Sequence, residues 1–224
     1  MQRHFLQELE QLKNNIVRMG SIVEESVADA NRAFVESSTE RARKVIEREQ
    51  EINSLELAND NGVVDLLALQ QPVASDLRFI LAALKINNDL ERIGDHAVNI
   101  AESAISYAGR PPLDVKTEIP RMAQVTQQML REALDGFIHN NTATARGVLQ
   151  HDDLMDSLNR KTINDLADLL RARPGSVDQA LELVRVSRNL ERVADLATNI
   201  AEEVIFIAEA HIVKHSSDRD LRPH

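Results

Sequence analysis

The chain has 224 residues, 43% of them hydrophobic and 28% charged, a balance that suits a globular protein able to bury a sizeable core. Its net charge of −10, with no dense basic cluster, argues against nucleic acid as a partner, and the absence of cysteine excludes disulfides and thiolate chemistry. Aromatics supply only 3%, so the core must be aliphatic and alanine-rich, which favours close-packed helices over a sheet.

Helical periodicity begins almost at once: Phe5, Leu9, Leu12, Ile16, Met19, Val23, Val27 and Phe34 recur in steps of three and four to about residue 36. No apolar segment approaches the length needed to cross a bilayer, and the amphipathic start has no signal-like apolar region, so the chain reads as cytoplasmic with no membrane insertion. Ser37 and Glu40 form an expected capping box for a second helix, which stops at Gln71-Pro72. A third runs from about Ser75 to Ala108, ended by Gly109 and Pro111-Pro112. The plan then repeats, with a fourth helix over 118–139, a turn at Asn140-Asn141 and a fifth helix over 142–172. Ser176 and Gln179 open a sixth that lasts to about 210.

The expected fold is therefore all-α, two tandem antiparallel three-helix bundles. Their boundaries are 1–108 for the first repeat, 109–117 for the linker, 118–210 for the second repeat and 211–224 for an aperiodic tail.

The repeat is visible residue by residue. LERIGDHAVNIAE (90–102) and LERVADLATNIAE (190–202) agree at nine of thirteen positions, and 42–55 aligns with 145–158 at five of fourteen. Glu91, Asp95, Asn99 and Glu102, with Glu191, Asp195, Asn199 and Glu202 in the second copy, follow steps of four, four and three along one helix face. Counting back from the hairpin turn near Pro72 sets Glu49 and Asn53 on the second helix level with Asp95 and Glu91. The same count from Pro174 sets Asp152 and Asp156 against Glu191 and Asp195.

Acids gathered at one level repel, and a bound cation removes that cost. Oxygen donors without cysteine suit Mg, Mn, Fe or Zn, with bridging carboxylates allowing a small cluster in each repeat. The competing reading is a solvated face neutralised by Arg92 and Arg192. Asp29 and Glu132, equivalent on the first helix of each unit, are further donors to weigh, whereas His96, matched by Leu196, reads as a local or interface residue. His211 and His215 have metal-compatible spacing but lie in the tail. There is no Gly-rich phosphate loop, no nucleophile elbow, no zinc-protease motif and no Glu-x-x-His pair, so no catalytic residue is assigned and the protein is not read as an enzyme.

The stretch QQPVASDLRFILAALKINNDLERIGDHAVNIAE (70–102), with its second copy SRNLERVADLATNIAEE (187–203), resembles the PhoU family over about residues 2–210. The resemblance implies two three-helix bundles that hold iron or zinc through E(D)-x-x-x-D pairs: Glu49, Asn53, Glu91 and Asp95 in one repeat, Asp152, Asp156, Glu191 and Asp195 in the other. Asn53 departs from the acid that the motif leads one to expect. The resemblance further implies a cytoplasmic regulator, commonly a homodimer, that partners the ATPase of the phosphate ABC transporter and a sensor histidine kinase. Such a regulator represses the starvation response when phosphate is plentiful. A metal-dependent phosphohydrolase and a structural or metal-storage bundle are the alternatives.

Overall fold

An aliphatic stripe that recurs every three or four residues needs an apolar partner along its whole length. The chain meets that need by folding back on itself in both halves. The computed structural model describes residues 2–70, 72–111, 113 and 115–210. Helices α1 (Gln2–Glu36), α2 (Thr39–Gln70) and α3 (Ala74–Ala108) form the first unit. Helices α4 (Ile119–His139), α5 (Thr142–Leu149), α6 (Asp152–Ala172) and α7 (Val177–Glu209) form the second. Among the described residues there is no strand.

Each unit is a bundle, yet the core does not stop at its edge. Ile16, Met19 and Val23 of α1, Ile86, Leu90 and Ile93 of α3, and Val193 and Ile200 of α7 belong to one continuous buried cluster. Each such side chain contributes about 2 kcal/mol through apolar surface removed from water. The most extensive helix contact in the molecule is α3 against α7, across the repeats.

That contact is antiparallel and tied by polar pairs. Lys85 Nζ donates to both carboxylate oxygens of Glu203 at 3.1 Å, and Arg185 donates to Glu102 at 2.7 Å and to Asn99 at 3.2 Å. Ser106 donates to Glu182 at 2.8 Å. Lys85 and Arg185 are equivalent positions of the repeat, so the seam is built around an internal two-fold. The α1 and α4 helices also meet, through Gly20 against Leu134 and Arg131 against Glu24.

Four sequence expectations need correction. The second helix is capped by Ser38, whose Oγ accepts from the Arg41 N–H at 3.3 Å, not by Ser37. Ser37 instead adopts a left-handed φ of 52°, and the Ser38 N–H reaches back to the Ala33 carbonyl at 2.9 Å, closing α1. Glu40 is held by Lys44 rather than reaching backward. The expected fifth helix is split at Gln150-His151, where His151 Nδ1 lies 3.0 Å from the Gly147 carbonyl and the backbone tightens to i→i+3 bonds. Finally, Ser176 makes no capping bond, because Pro174–Ser176 is a short 3₁₀ turn and Gln179 donates to the Pro111 carbonyl. The turn at Asn140-Asn141 forms as expected: Asn140 is left-handed, and the Asn141 side chain accepts from the N–H groups of Ala143 and Thr144. The 211–224 tail lies outside the described residues.

Within the first unit, α2 sits close to α3 because Gly94 has no side chain; a Cβ there would stand 3.0 Å from Ile52 Cδ1. Register is set one and two turns away. Asn59 donates to Asn87 at 2.8 Å, and Asn87 donates to Asp60 at 2.9 Å and to the Glu56 carbonyl at 3.1 Å. Asn59 and Asn87 are buried, so shifting the helices by one residue would strand their amides. Replacing Gly94 with Val should therefore cost about 2 kcal/mol by overpacking α2 against α3. Urea melts of the two proteins check this, and an unchanged midpoint would show that the approach of the helices is not tight.

Candidate metal centre

Two carboxylates one turn apart on a helix repel, and burial makes the repulsion harder to screen. In α3 those residues are Glu91 and Asp95, both half-buried. Across from them α2 presents Glu49, Glu56 and Asp60. Burial holds the Glu91 carboxyl above its ordinary range, with repulsion from Asp95, Glu56 and Glu49 added and Arg92 opposing. Glu56 is raised too, by burial and then by Asp60 and Asp95. Among the described residues Glu49, Glu56, Glu91 and Asp95 form no ion pair, and the pull of Arg92 on Glu91 only partly offsets the negative charge of this cluster.

Of the expected set, Glu49 and Asp95 lie within electrostatic reach of Glu91, although among the described residues no three acids stand close enough to hold one ion. Asn53, one turn from Glu49 on the same helix, is exposed. Glu56 was not anticipated. Ile52 lies opposite Gly94, which centres the hairpin on residue 73 and moves the register two residues from the count made at Pro72. The missed signal is legible in retrospect: 49, 53, 56 and 60 step by four, three and four along one α2 face.

The second unit repeats the arrangement with different support. Asp152 opens α6, and its carboxyl is raised by burial, then by Asp156, Asp153 and Glu191. The N-terminus of α6 favours negative charge, so the break after α5 gives these aspartates a partial counter-charge. Asp195 is raised by burial, then by Glu191, with Asp152 adding to it. Arg192 opposes by donating to Asp195 Oδ2 at 3.1 Å. All four expected residues interact here, though Asp156 is exposed.

The remaining candidates have other employment. Asn99 and Glu102, expected to extend the acid stripe, turn to the seam and hold Arg185. Asp29 is taken by Arg41 and Arg48 at 3.2 and 3.3 Å, and Glu132 accepts from Gln128. His96 is the expected interface residue: Nδ1 lies 2.8 Å from Asn189 Oδ1, and burial keeps the ring's pKa below its ordinary value. His211 and His215 fall outside the described residues.

The donor set fits a hard cation in chemistry and in charge: oxygen ligands only, anionic, and in the first unit unpaired. It is not a closed cage. Among the described residues no three His, Asp or Glu side chains lie close enough to chelate one ion, so holding a metal requires these carboxylates to swing inward.

The pKa directions give a pH prediction for metal-free protein. A carboxylate raised in the folded state contributes stability that is present below its unfolded pKa and is lost as pH rises through the folded one. At neutral pH, Glu91→Gln with Asp95→Asn should therefore stabilise the chelated protein, by about 0.5 kcal/mol for the like-charge pair removed. The advantage should shrink as pH falls toward about 4, near the reference range of free carboxylates. Thermal melts from pH 4 to 8 measure it, and a variant less stable than wild type at pH 7 would contradict a net repulsion between these acids.

Comparison with known proteins places these features in a family. The PhoU domain model matches residues 16–104 and 119–204, one copy for each repeat. A phosphate-specific transport system accessory protein PhoU homolog of Aquifex aeolicus is 36% identical over 208 residues, covering 93% of this chain and 94% of that one. A homolog of the same description from Pseudomonas aeruginosa is 34% identical over 215 residues, covering 95% and 88%. The crystal structure of PhoU from Pseudomonas aeruginosa superposes with a TM-score of 0.90 at 33% identity, over 92% of this chain and all of that one. The phosphate transport system regulatory protein PhoU from Streptococcus pneumoniae superposes with 0.85 at 26% identity, covering 94% and 99%.

Proposed function

The chain belongs to the PhoU family, and on that premise we propose that it is a cytoplasmic, metal-binding regulator of phosphate uptake and of the phosphate-starvation response. In this reading it binds the ATPase of the phosphate ABC transporter and a sensor histidine kinase, and represses signalling when phosphate is plentiful. The relatives are named as accessory proteins of phosphate-specific transport, which supports the coarser part of the reading. No described helix is long and apolar enough to cross a membrane, which agrees with a protein that acts on membrane partners from one side.

The observation that carries the metal-dependent part is the pair of acid clusters, one in each repeat, in which burial and neighbouring carboxylates raise the pKa of Glu91, Asp152 and Asp195. Glu49, Glu56, Glu91 and Asp95 would hold a cation in the first unit, with Asn53 able to add an amide oxygen. Asp152, Asp156, Glu191 and Asp195 would do so in the second. A bound cation would supply charge neutralisation and a link between neighbouring helices, with no chemistry on a substrate. The protein's own part is to hold α2 against α3, and α6 against α7, so that the donors face one another. Arg92 and Arg192 both lie within electrostatic reach of His96 at the seam. A neutralised site beside two arginines would offer partners a face quite different from the metal-free one, and partners that prefer one state would shift the balance between them.

The test is genetic and biochemical together. Glu91→Ala with Asp95→Ala should keep its helical circular dichroism, lose at least about half of its bound metal, and raise a phosphate-starvation reporter in rich phosphate to the level of a gene deletion. Wild-type repression by the variant would contradict the metal-dependent part. Failure of wild-type protein to bind either purified partner would contradict the regulatory reading itself.

A further inference from the structure

Large aliphatic side chains that face water in a contiguous group mark a binding surface more often than chance exposure does. One such group sits on the α2–α3 hairpin. Leu77, Leu81 and Leu84 of α3 are each more than a third exposed, although they lie in the helix that forms the centre of the molecule. They follow steps of four and three, so they line one face about two turns long. The register fixed by Ile52 and Gly94 brings Val64 and Leu67 of α2, also exposed, level with the same stretch. Farther along this face is an open depression of about 480 Å³ whose wall includes Leu84, Glu56, Asp60, Asn88, Arg92 and, from α7, Asn199. The trough is therefore aliphatic toward the hairpin tip and polar toward the middle of the molecule.

Its charge is one-sided. The two basic groups bordering the polar end are already engaged, Lys85 by Glu203 and Arg92 by Asp89. Glu56 has no ion pair among the described residues, and Asp60 only accepts from a neutral amide. A second copy of this chain laid on the same trough would set acid against acid, and an anionic lipid surface would be repelled in the same way.

We propose that this trough docks an amphipathic helix of a partner protein, with aliphatic anchors spaced i, i+4, i+7 and a basic flank that meets Glu56 and Asp60. The anchors enter between α2 and α3 beside Leu77, Leu81 and Leu84, and the flank supplies the counter-charge that the trough lacks. The trough shares only Glu56 with the proposed metal donors, so the docking surface goes beyond the regulatory reading and is tested apart from it.

The experiment uses full-length protein in chelated buffer and a labelled synthetic helix of about 18 residues, with leucines at i, i+4 and i+7 and lysines on one flank, followed by fluorescence anisotropy. Wild type should bind it in the micromolar range. Leu81→Glu and Leu77→Glu should each weaken binding by about tenfold or more, the loss of one buried anchor, while melting as wild type does. Val35→Glu, at an exposed aliphatic site on α1, should leave binding unchanged, and a peptide whose flank lysines are glutamates should bind about tenfold more weakly. Wild type that ignores the lysine peptide, or groove variants that bind it undiminished, would overturn the proposal. So would equal binding of the glutamate peptide, a Leu81-dependent dimer in sedimentation, or Leu81-dependent capture by phosphatidylserine vesicles.

Discussion

The antiparallel contact of α3 with α7 is the constraint on which the rest of the molecule depends. Each of these helices is the third of its own bundle, and each serves as a wall for the other repeat. The seam is held by aliphatic packing at Ile93, Val193 and Ile200 and by buried charge: Glu203 is 2% exposed and needs the Lys85 ammonium beside it. Lys85 and Arg185 are equivalent positions of the repeat, so each bundle sets a basic residue across the seam against an acid of the other. Each repeat accordingly carries an acid cluster of its own beside the seam helix.

Packing, not attraction, assembles those sites. Nothing about Glu49, Glu56, Glu91 and Asp95 draws them together in metal-free protein, since each raises another's pKa or is raised by it. They are level because Gly94 admits Ile52 and because the Asn59–Asn87 pair fixes the register of α2 on α3. A site assembled against its own repulsion is poised to take up positive charge, whether that comes as a cation or as basic side chains of a partner. The two units differ in how much of this charge they settle internally. The second has Arg192 on Asp195 and a helix N-terminus under Asp152, while the first has neither. The first unit is accordingly the more demanding of a ligand, although Asn53 makes it poorer in carboxylates at the position equivalent to Asp156.

The helices were legible in the sequence because their signals are local and repeated: apolar steps of three and four, proline and glycine at the ends, and a second copy to confirm each element. What was missed depends on tertiary detail. Counting from Pro72 placed the acids within two residues but not closely enough to find Glu56, since hairpin geometry, not the proline itself, sets the centre. Nothing in residues 142–172 announces the break at Gln150-His151; it arises from a histidine side chain that competes for the Gly147 carbonyl. Asn99 and Glu102 sit on the same sequence stripe as Glu91 and Asp95, yet Arg185, from the other repeat, claims them. A one-chain helical wheel cannot show a neighbour that arrives 83 residues later. The Ser37 capping box misled by one residue for a smaller reason, since a left-handed Ser37 ends α1 before α2 can begin.

Anomalous diffraction from crystals soaked in manganese tests most directly whether the opposed acids form a cation site. The account predicts density within bonding distance of Glu49, Glu91 and Asp95, with those side chains swung inward, and a second peak among Asp152, Glu191 and Asp195. Manganese bound elsewhere, or no peak while the carboxylates stay apart and hydrated, would contradict it.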